Sequence, residues 1–306
     1  MTAQELTPPA PGGQRSLPAT PARAFAYSLA AVFLLSLLDG VVKWLSTDYS
    51  APQIAFLRYI LGLGLALGMT WQRGGPRVLR TRRPFGHALR SALNILTMMI
   101  FFTALKLLPL ADCVALGFAG PLFMTLLSIP LLGERVGPRR WGALVVGFGG
   151  VLLMLRPSGT FDWAMLLPLT AAFTYSLGVI LSRQLSRTES TTSILFYYSA
   201  GVLLVTGAAM PWLWVTPSWT DLALFGLAGV VGSFGQLCLT QAFRYGEVSA
   251  LAPLEFTSLV WAVALGYVIW GELPGWTVLA GTALVVASSL YISHREARRA
   301  RAPRAA

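Results

Sequence analysis

Gly133-Glu134, trailed by Trp141-Gly142-Ala143-Leu144-Val145-Val146, returns late in the chain as Gly271-Glu272, trailed by Gly281-Thr282-Ala283-Leu284-Val285-Val286. Each Gly-Glu pair closes a long apolar run, the first beginning at Ala111 and the second at Ser249. The second copy has Pro274-Gly275-Trp276 where the first has Val136-Gly137-Pro138, which shifts the register by a residue or two without erasing the match. Two such blocks imply a chain built from two related halves.

The runs around these blocks have the length of a membrane crossing. About twenty helical residues, each rising about 1.5 Å, cross a hydrocarbon core roughly 30 Å thick. Ten candidate spans follow: Phe25–Ser46, Pro52–Gln72, His87–Leu108, Leu110–Leu132, Arg140–Leu155, Phe161–Leu181, Thr192–Trp214, Leu222–Phe243, Val248–Trp270 and Trp276–Ser293. Composition agrees, because 306 residues that are 55% hydrophobic and only 11% charged leave too few charges to cover one soluble core. Residues 1–24, rich in Pro, Gly, Ala and Thr, read as a disordered cytoplasmic tail, and 294–306 as a basic cytoplasmic tail. The apolar run after Arg23 is too long for a secretory leader and lacks a small-residue cleavage site.

Charge sets the direction. With the amino terminus inside, Arg15, Arg23, the cluster Arg73, Arg77, Arg80, Arg82, Arg83 and Arg90, then Arg135, Arg139, Arg140, Arg183, Arg187, Arg244 and the tail arginines fall on the cytoplasmic side. Only Lys106 and Arg156 lie near the opposite loops, which is the positive-inside pattern. Trp44, Trp71, Trp141, Trp163, Trp212, Trp214, Trp219, Trp270 and Trp276 mark span ends, as interfacial indoles do. Both termini are thus expected in the cytoplasm of a bacterial inner-membrane protein. Five spans per half is an odd number, so the second half (161–293) is inserted upside down relative to the first (25–156). The expected fold is an all-α polytopic membrane protein with ten transmembrane helices, arranged as two inverted five-helix repeats around a central cavity.

The net charge of +11 raises the question of nucleic acid. The arginines lie between and after apolar runs rather than on a folded face with aromatics interleaved, so no nucleic-acid partner is expected. Cys113, Cys238, His87 and His294 stand alone, and no HExxH, GxGxxG, GxxxxGK or GxSxG pattern occurs. No metal, cofactor or enzymatic site is expected.

Together with Phe56-Leu57-Arg58-Tyr59 at the opening of span two and the layout over 25–293, these motifs resemble the drug/metabolite transporter superfamily, specifically its ten-helix EamA-type carriers. Within it the chain looks more like the amino-acid exporters, including the YddG aromatic group, than like sugar-phosphate carriers. The resemblance implies export or facilitated exchange of small metabolites by alternating access, with neutral or aromatic amino acids as the leading substrates and a monomer as the working unit in membrane lipid. Proton-driven efflux of drugs or cationic compounds is the alternative carrier reading, and a non-transporting receptor or scaffold the alternative of another class.

Ionisable and polar groups at membrane depth nominate the site, since hydrocarbon does not tolerate them unpaired. Asp39 and Lys43 are four residues apart and share one face of span one, and Arg58 lies at a similar depth in span two. Two accounts stand: a neutralising cluster locks the helices together, or one cation stays available for a substrate carboxylate while Asp39 takes an ammonium or a proton. Asn94, Gln236 and Glu255 fall about 10–15 Å from the inner boundary on three different spans, as a water-filled cavity predicts. Glu255 is read either as a proton-coupling carboxylate or as one satisfied by a neighbouring hydroxyl or helix. Tyr175, Tyr197, Tyr198, Phe256 and Trp261 are candidates for an apolar lining. Pro121 and Pro253 break spans four and nine and free carbonyls near Gly117 and Ser249. Gly226, Gly229, Gly232 and Gly235 recur every third residue and predict a close helix contact or a moving interface, so Gly232 and Gly235 join the gating candidates.

Overall fold

The computed structural model describes residues 21–72, 83–133, 137–155, 162–185, 191–245 and 254–301, with the single positions 75, 79, 81, 189 and 251. Glu134, Ser249 and Pro253 lie outside the described residues. All regular structure among those described is helical: α1 (Pro21–Leu45), α2 (Ala51–Gln72), α3 (Pro84–Leu107), α4 (Leu110–Gly117), α5 (Gly120–Leu132), α6 (Pro138–Leu155), α7 (Leu166–Leu185), α8 (Thr191–Leu213), α9 (Trp219–Tyr245), α10 (Ser258–Trp270) and α11 (Trp276–Arg301), with a 3-10 turn at Trp163–Met165.

Six stretches among the described residues are long and apolar enough to cross a membrane: Ala22–Leu45, Pro84–Leu107, Leu110–Leu131, Trp163–Ser182, Phe196–Leu213 and Trp219–Leu239. Ser258–Trp270 and Trp276–Ile292 are shorter apolar helices. Trp71, Trp212, Trp219 and Trp276, all at helix ends, are among the most exposed side chains, as an aromatic belt requires. The chain is an all-α polytopic membrane protein. Its first helix begins at Pro21 and its last runs on to Arg301, beyond the limits of 25 and 293 that hydropathy draws.

The fourth expected span is two helices. α4 stops at Gly117, and α5 restarts at Gly120 with Pro121 in its first turn. A proline fits best in a first turn, where its missing N–H is not needed, and the restart just ahead of Pro121 puts it there. The carbonyl that gains a partner at the break is that of Gly120, which accepts from the Ser176 hydroxyl at 2.9 Å. α10 has the same build as α5. Each is a 13-residue helix entered through a right-handed residue, Ala119 or Thr257, and each ends on a left-handed glycine, Gly133 at φ 67 or Gly271 at φ 68. Only glycine takes that conformation without steric cost, which is why the motif glycine stands there.

Helix packing is set by small residues. α6 crosses α11 where a Cβ at Gly150 would meet the Gly281 carbonyl oxygen at 2.6 Å, and one at Gly281 the Gly150 oxygen at 2.5 Å. α9 lies between α1 and α2 through its glycines: a Cβ at Gly229 would strike Leu61 at 2.6 Å, and one at Gly235 would meet Leu35 at 3.0 Å. Gly229, Gly232 and Gly235 are therefore a packing face, whereas nothing lies within 4 Å of the Cβ position of Gly226. The other main contacts are α2 with α8, α3 with α7, α3 with α8, α1 with α10, α4 with α10, and α4 and α5 with α7. The largest buried apolar cluster gathers Val42, Leu45, Ile54, Leu105, Leu110, Cys113 and Phe225 at the end of the bundle remote from the start of α1.

Candidate substrate cavity

Opposite charges approach each other from α1 and α2. Asp39 stands one turn before Lys43, and Arg58 lies two turns into α2. Asp39 and Arg58 are within electrostatic range yet do not close into an ion pair, and among the described residues neither side chain makes a hydrogen bond. Lys43 has turned away from Asp39. Its ammonium donates to both carboxylate oxygens of Glu272, at 2.7 and 2.8 Å, and to the Leu108 carbonyl at 2.8 Å.

From Arg58 an aromatic ladder runs across the bundle. The guanidinium lies over the Tyr59 ring at 5.1 Å, and the hydroxyls of Tyr59 and Tyr198 share a hydrogen bond of 2.7 Å. Arg90 of α3 lies over Tyr198 at 5.6 Å and donates from Nε to the Ser182 hydroxyl of α7 at 2.5 Å. Beyond it, Tyr175 interacts electrostatically with both Arg90 and Glu255. Tyr175 is 52% exposed, and Glu255 is exposed as well. Asp39, Arg58, Tyr59, Tyr198, Arg90, Tyr175 and Glu255 thus form one connected set, with acids and bases separated by phenol rings.

The remaining candidates are placed less centrally. Asn94 donates to the Arg90 carbonyl at 2.9 Å, and its Oδ1 lies 3.5 Å from where Gly178 would carry a Cβ, so it faces α7. Gln236 is exposed on α9. Phe256 meets Phe118 edge to face at 5.0 Å, and Trp261 meets Phe33 at 4.8 Å. Tyr197 points away, donating to the Leu79 carbonyl and packing on His87. The sequence reading passed over Tyr59, Ser182 and Glu272 as site residues and counted Arg90 among loop charges. Arg90 lies past the start of its apolar run, and that depth was the available signal.

Gly232 holds Arg58 in position, because a Cβ there would come within 3.0 Å of its Nε and Nη2. The guanidinium end is flexible, so Gly232→Ala is expected to displace Arg58 while leaving membrane abundance unchanged. In proteoliposomes the KM for the transported substrate should rise several-fold at nearly unchanged maximal rate; an unchanged KM would refute this positioning role.

Apolar membrane helices that set acids, bases and phenols against one another point to the class of small-molecule carriers. The EamA-like transporter family pattern matches residues 22–156 and again 162–294, and the chain belongs to that family. It is 31% identical to the S-adenosylmethionine uptake transporter of Rickettsia prowazekii, over 86% of this chain and 92% of that one. It is 30% identical to the riboflavin transporter of Rhizobium johnstonii, over 95% and 98%. With the pseudopaline exporter CntI of Pseudomonas aeruginosa it shares 29% identity, over 86% and 93%. A solved crystal structure that is 20% identical covers 92% of this chain and 100% of its own with a TM-score of 0.63, and so shares the fold. The protein is a multi-pass bacterial inner-membrane carrier of small metabolites rather than an enzyme.

Proposed function

We propose that this carrier moves zwitterionic metabolites with an aromatic or heteroaromatic part, amino acids and their derivatives foremost, by alternating access between two inverted five-helix halves. The observation that carries the substrate class is the separation of Asp39 from Arg58: a carboxylate on α1 and a guanidinium on α2, within electrostatic range of each other and, among the described residues, neither hydrogen-bonded nor ion-paired. An α-amino acid presents the complementary pair, with its carboxylate suited to the fork of Arg58 and its ammonium to Asp39. Tyr59 and Tyr198 offer ring faces beside that pair. S-adenosylmethionine, the substrate in the name of one relative, is itself an amino acid bearing a purine.

The inverted arrangement is supported by the packing. Exchanging the halves maps α1 on α9 to α7 on α3, α2 on α9 to α8 on α3, and α1 on α10 to α7 on α4 and α5. The contacts α2 with α8 and α6 with α11 map onto themselves. Phe118 and Phe256, each ahead of a 13-residue helix, touch one another, as equivalent residues on a two-fold axis do. The two family matches divide the chain at the same place. A cytoplasmic amino terminus follows from the arginine distribution.

The test is flux in liposomes. Purified protein should exchange labelled phenylalanine, tryptophan, methionine or S-adenosylmethionine down a gradient. Riboflavin has neither ammonium nor carboxylate, so movement of riboflavin alone would overturn the zwitterion reading. A second reading, proton-coupled efflux, draws on Glu255, an accessible carboxylate without a hydrogen bond to its side chain among the described residues. Flux that ignores an imposed pH gradient would rule that reading out and leave facilitated exchange.

A further inference from the structure

The clamp between Lys43 and Glu272 joins four helix ends at the face of the bundle remote from the start of α1. Gly271 takes the left-handed turn that ends α10, its amide bonding the Tyr267 carbonyl and that of Glu272 the Gly266 carbonyl at 3.0 Å. This reversal throws the Glu272 side chain across to α1 and α4. Its Oε2 accepts from the Leu110 amide at 3.1 Å, at the first turn of α4, where Pro109 has no side chain to cap the helix. The Lys43 ammonium, in the last turn of α1, caps the carbonyl of Leu108 at the end of α3 and lies 5.1 Å from the centre of the Trp270 ring. Lys43 lies at the C-terminal ends of α1 and α3 and the Glu272 carboxylate at the N-terminal end of α4, where each complements the helix dipole. Lys43 is 8% exposed, and below the clamp Cys113, Leu110, Val42 and Leu45 are at most 1% exposed. The opposite half of the molecule holds the accessible Tyr175 and Glu255.

We infer that the Lys43–Glu272 pair is the closed gate on the membrane side opposite the amino terminus, and that the glutamate of the second Gly-Glu motif serves to hold that side shut. This rests on the alternating-access reading of the proposed function. Opening toward that side has to part the end of α10 from the end of α1 and the α3–α4 junction, which these two side chains tie together. Both charges exchange protein partners for water when the clamp parts, so the closed state is held by a contact that can be broken and remade. Glu134, its counterpart by sequence register, lies outside the described residues.

Cys113 is a built-in reporter, since it is fully buried beneath the clamp and within electrostatic range of both its members. In a Cys238→Ser background it is the sole thiol. A membrane-impermeant maleimide applied from the side opposite the amino terminus should label it slowly. Glu272→Gln, and independently Lys43→Gln, should raise that rate at least tenfold from that side and not from the other. The charge-swapped double variant, Lys43→Glu with Glu272→Lys, should return it to slow labelling. Rates unchanged in both single variants would overturn the gate, as would a rise that is equal from both sides, which denotes general loosening. Fast labelling in the swapped variant would do the same. The readout needs no substrate, so failure of the liposome panel and failure of the gate are separate results.

Discussion

Replacing Arg58 by Gln is expected to lower transport of zwitterionic substrates on the order of 100-fold while membrane abundance stays near that of the parent. The estimate is one charge-assisted recognition contact worth about 3 kcal/mol in an enclosed site, with each 1.4 kcal/mol counting about tenfold. Abundance should hold because Arg58 makes no hydrogen bond among the described residues and contributes mainly its position over Tyr59. Arg58→Lys keeps the charge and loses the fork, so an intermediate loss is expected. The companion Asp39→Asn should discriminate by substrate: it should impair amino acids and spare analogues that have the carboxylate but no ammonium. Initial rates of exchange in proteoliposomes, normalised to reconstituted protein, provide the measurement. Parental rates in Arg58→Gln would eliminate Arg58 as the carboxylate anchor.

The largest effect on folding is expected at the crossing of α6 and α11. The backbones meet so closely at Gly150 and Gly281 that the position of each absent Cβ lies within about 2.6 Å of the other's carbonyl oxygen. Leu284 would also be 2.9 Å from a Cβ at Gly150. Backbone cannot yield as a side-chain tip can, so Gly150→Ala must push the helices apart. The overpacking cost is about 1–3 kcal/mol, and more for Gly150→Leu. Detergent-solubilised Gly150→Ala should melt several degrees below the parent, and Gly150→Leu should scarcely accumulate in the membrane. Gly149 is the internal control: it is exposed, nothing lies within 4 Å of its Cβ position, and Gly149→Ala should be neutral. Equal melting of the two alanine variants would show that the crossing does not depend on close backbone approach.

Much of the architecture is legible without coordinates. Burying so many apolar residues with so few charges demands lipid, and about twenty residues per crossing is a matter of helix rise, so run length suffices to show a multi-span membrane protein; of the ten expected spans, six stretches among the described residues are long and apolar enough to cross. The Gly-Glu repeat was visible as well, because a left-handed cap requires glycine and leaves that requirement in the sequence. Proline marked the break in the fourth span, but the hydroxyl that meets the Gly120 carbonyl there comes from Ser176 of α7, which local sequence does not show.

The site was legible only as a set of misfit residues. Asp39, Arg58, Tyr175, Tyr198 and Glu255 stood out because ionisable and phenolic groups are costly in hydrocarbon, yet cost does not say which partner relieves it. Helical spacing set Lys43 beside Asp39, whereas the tertiary structure gave Lys43 to Glu272, 229 residues away, and left Asp39 facing Arg58. Sequence alone therefore determined that this is a multi-span membrane protein of two related halves with charges in its interior, since those follow from solvent and local backbone geometry. Which charges pair with each other, as Lys43 and Glu272 do, was decided by helices brought together from opposite ends of the chain, because pairing at a distance has no local signature.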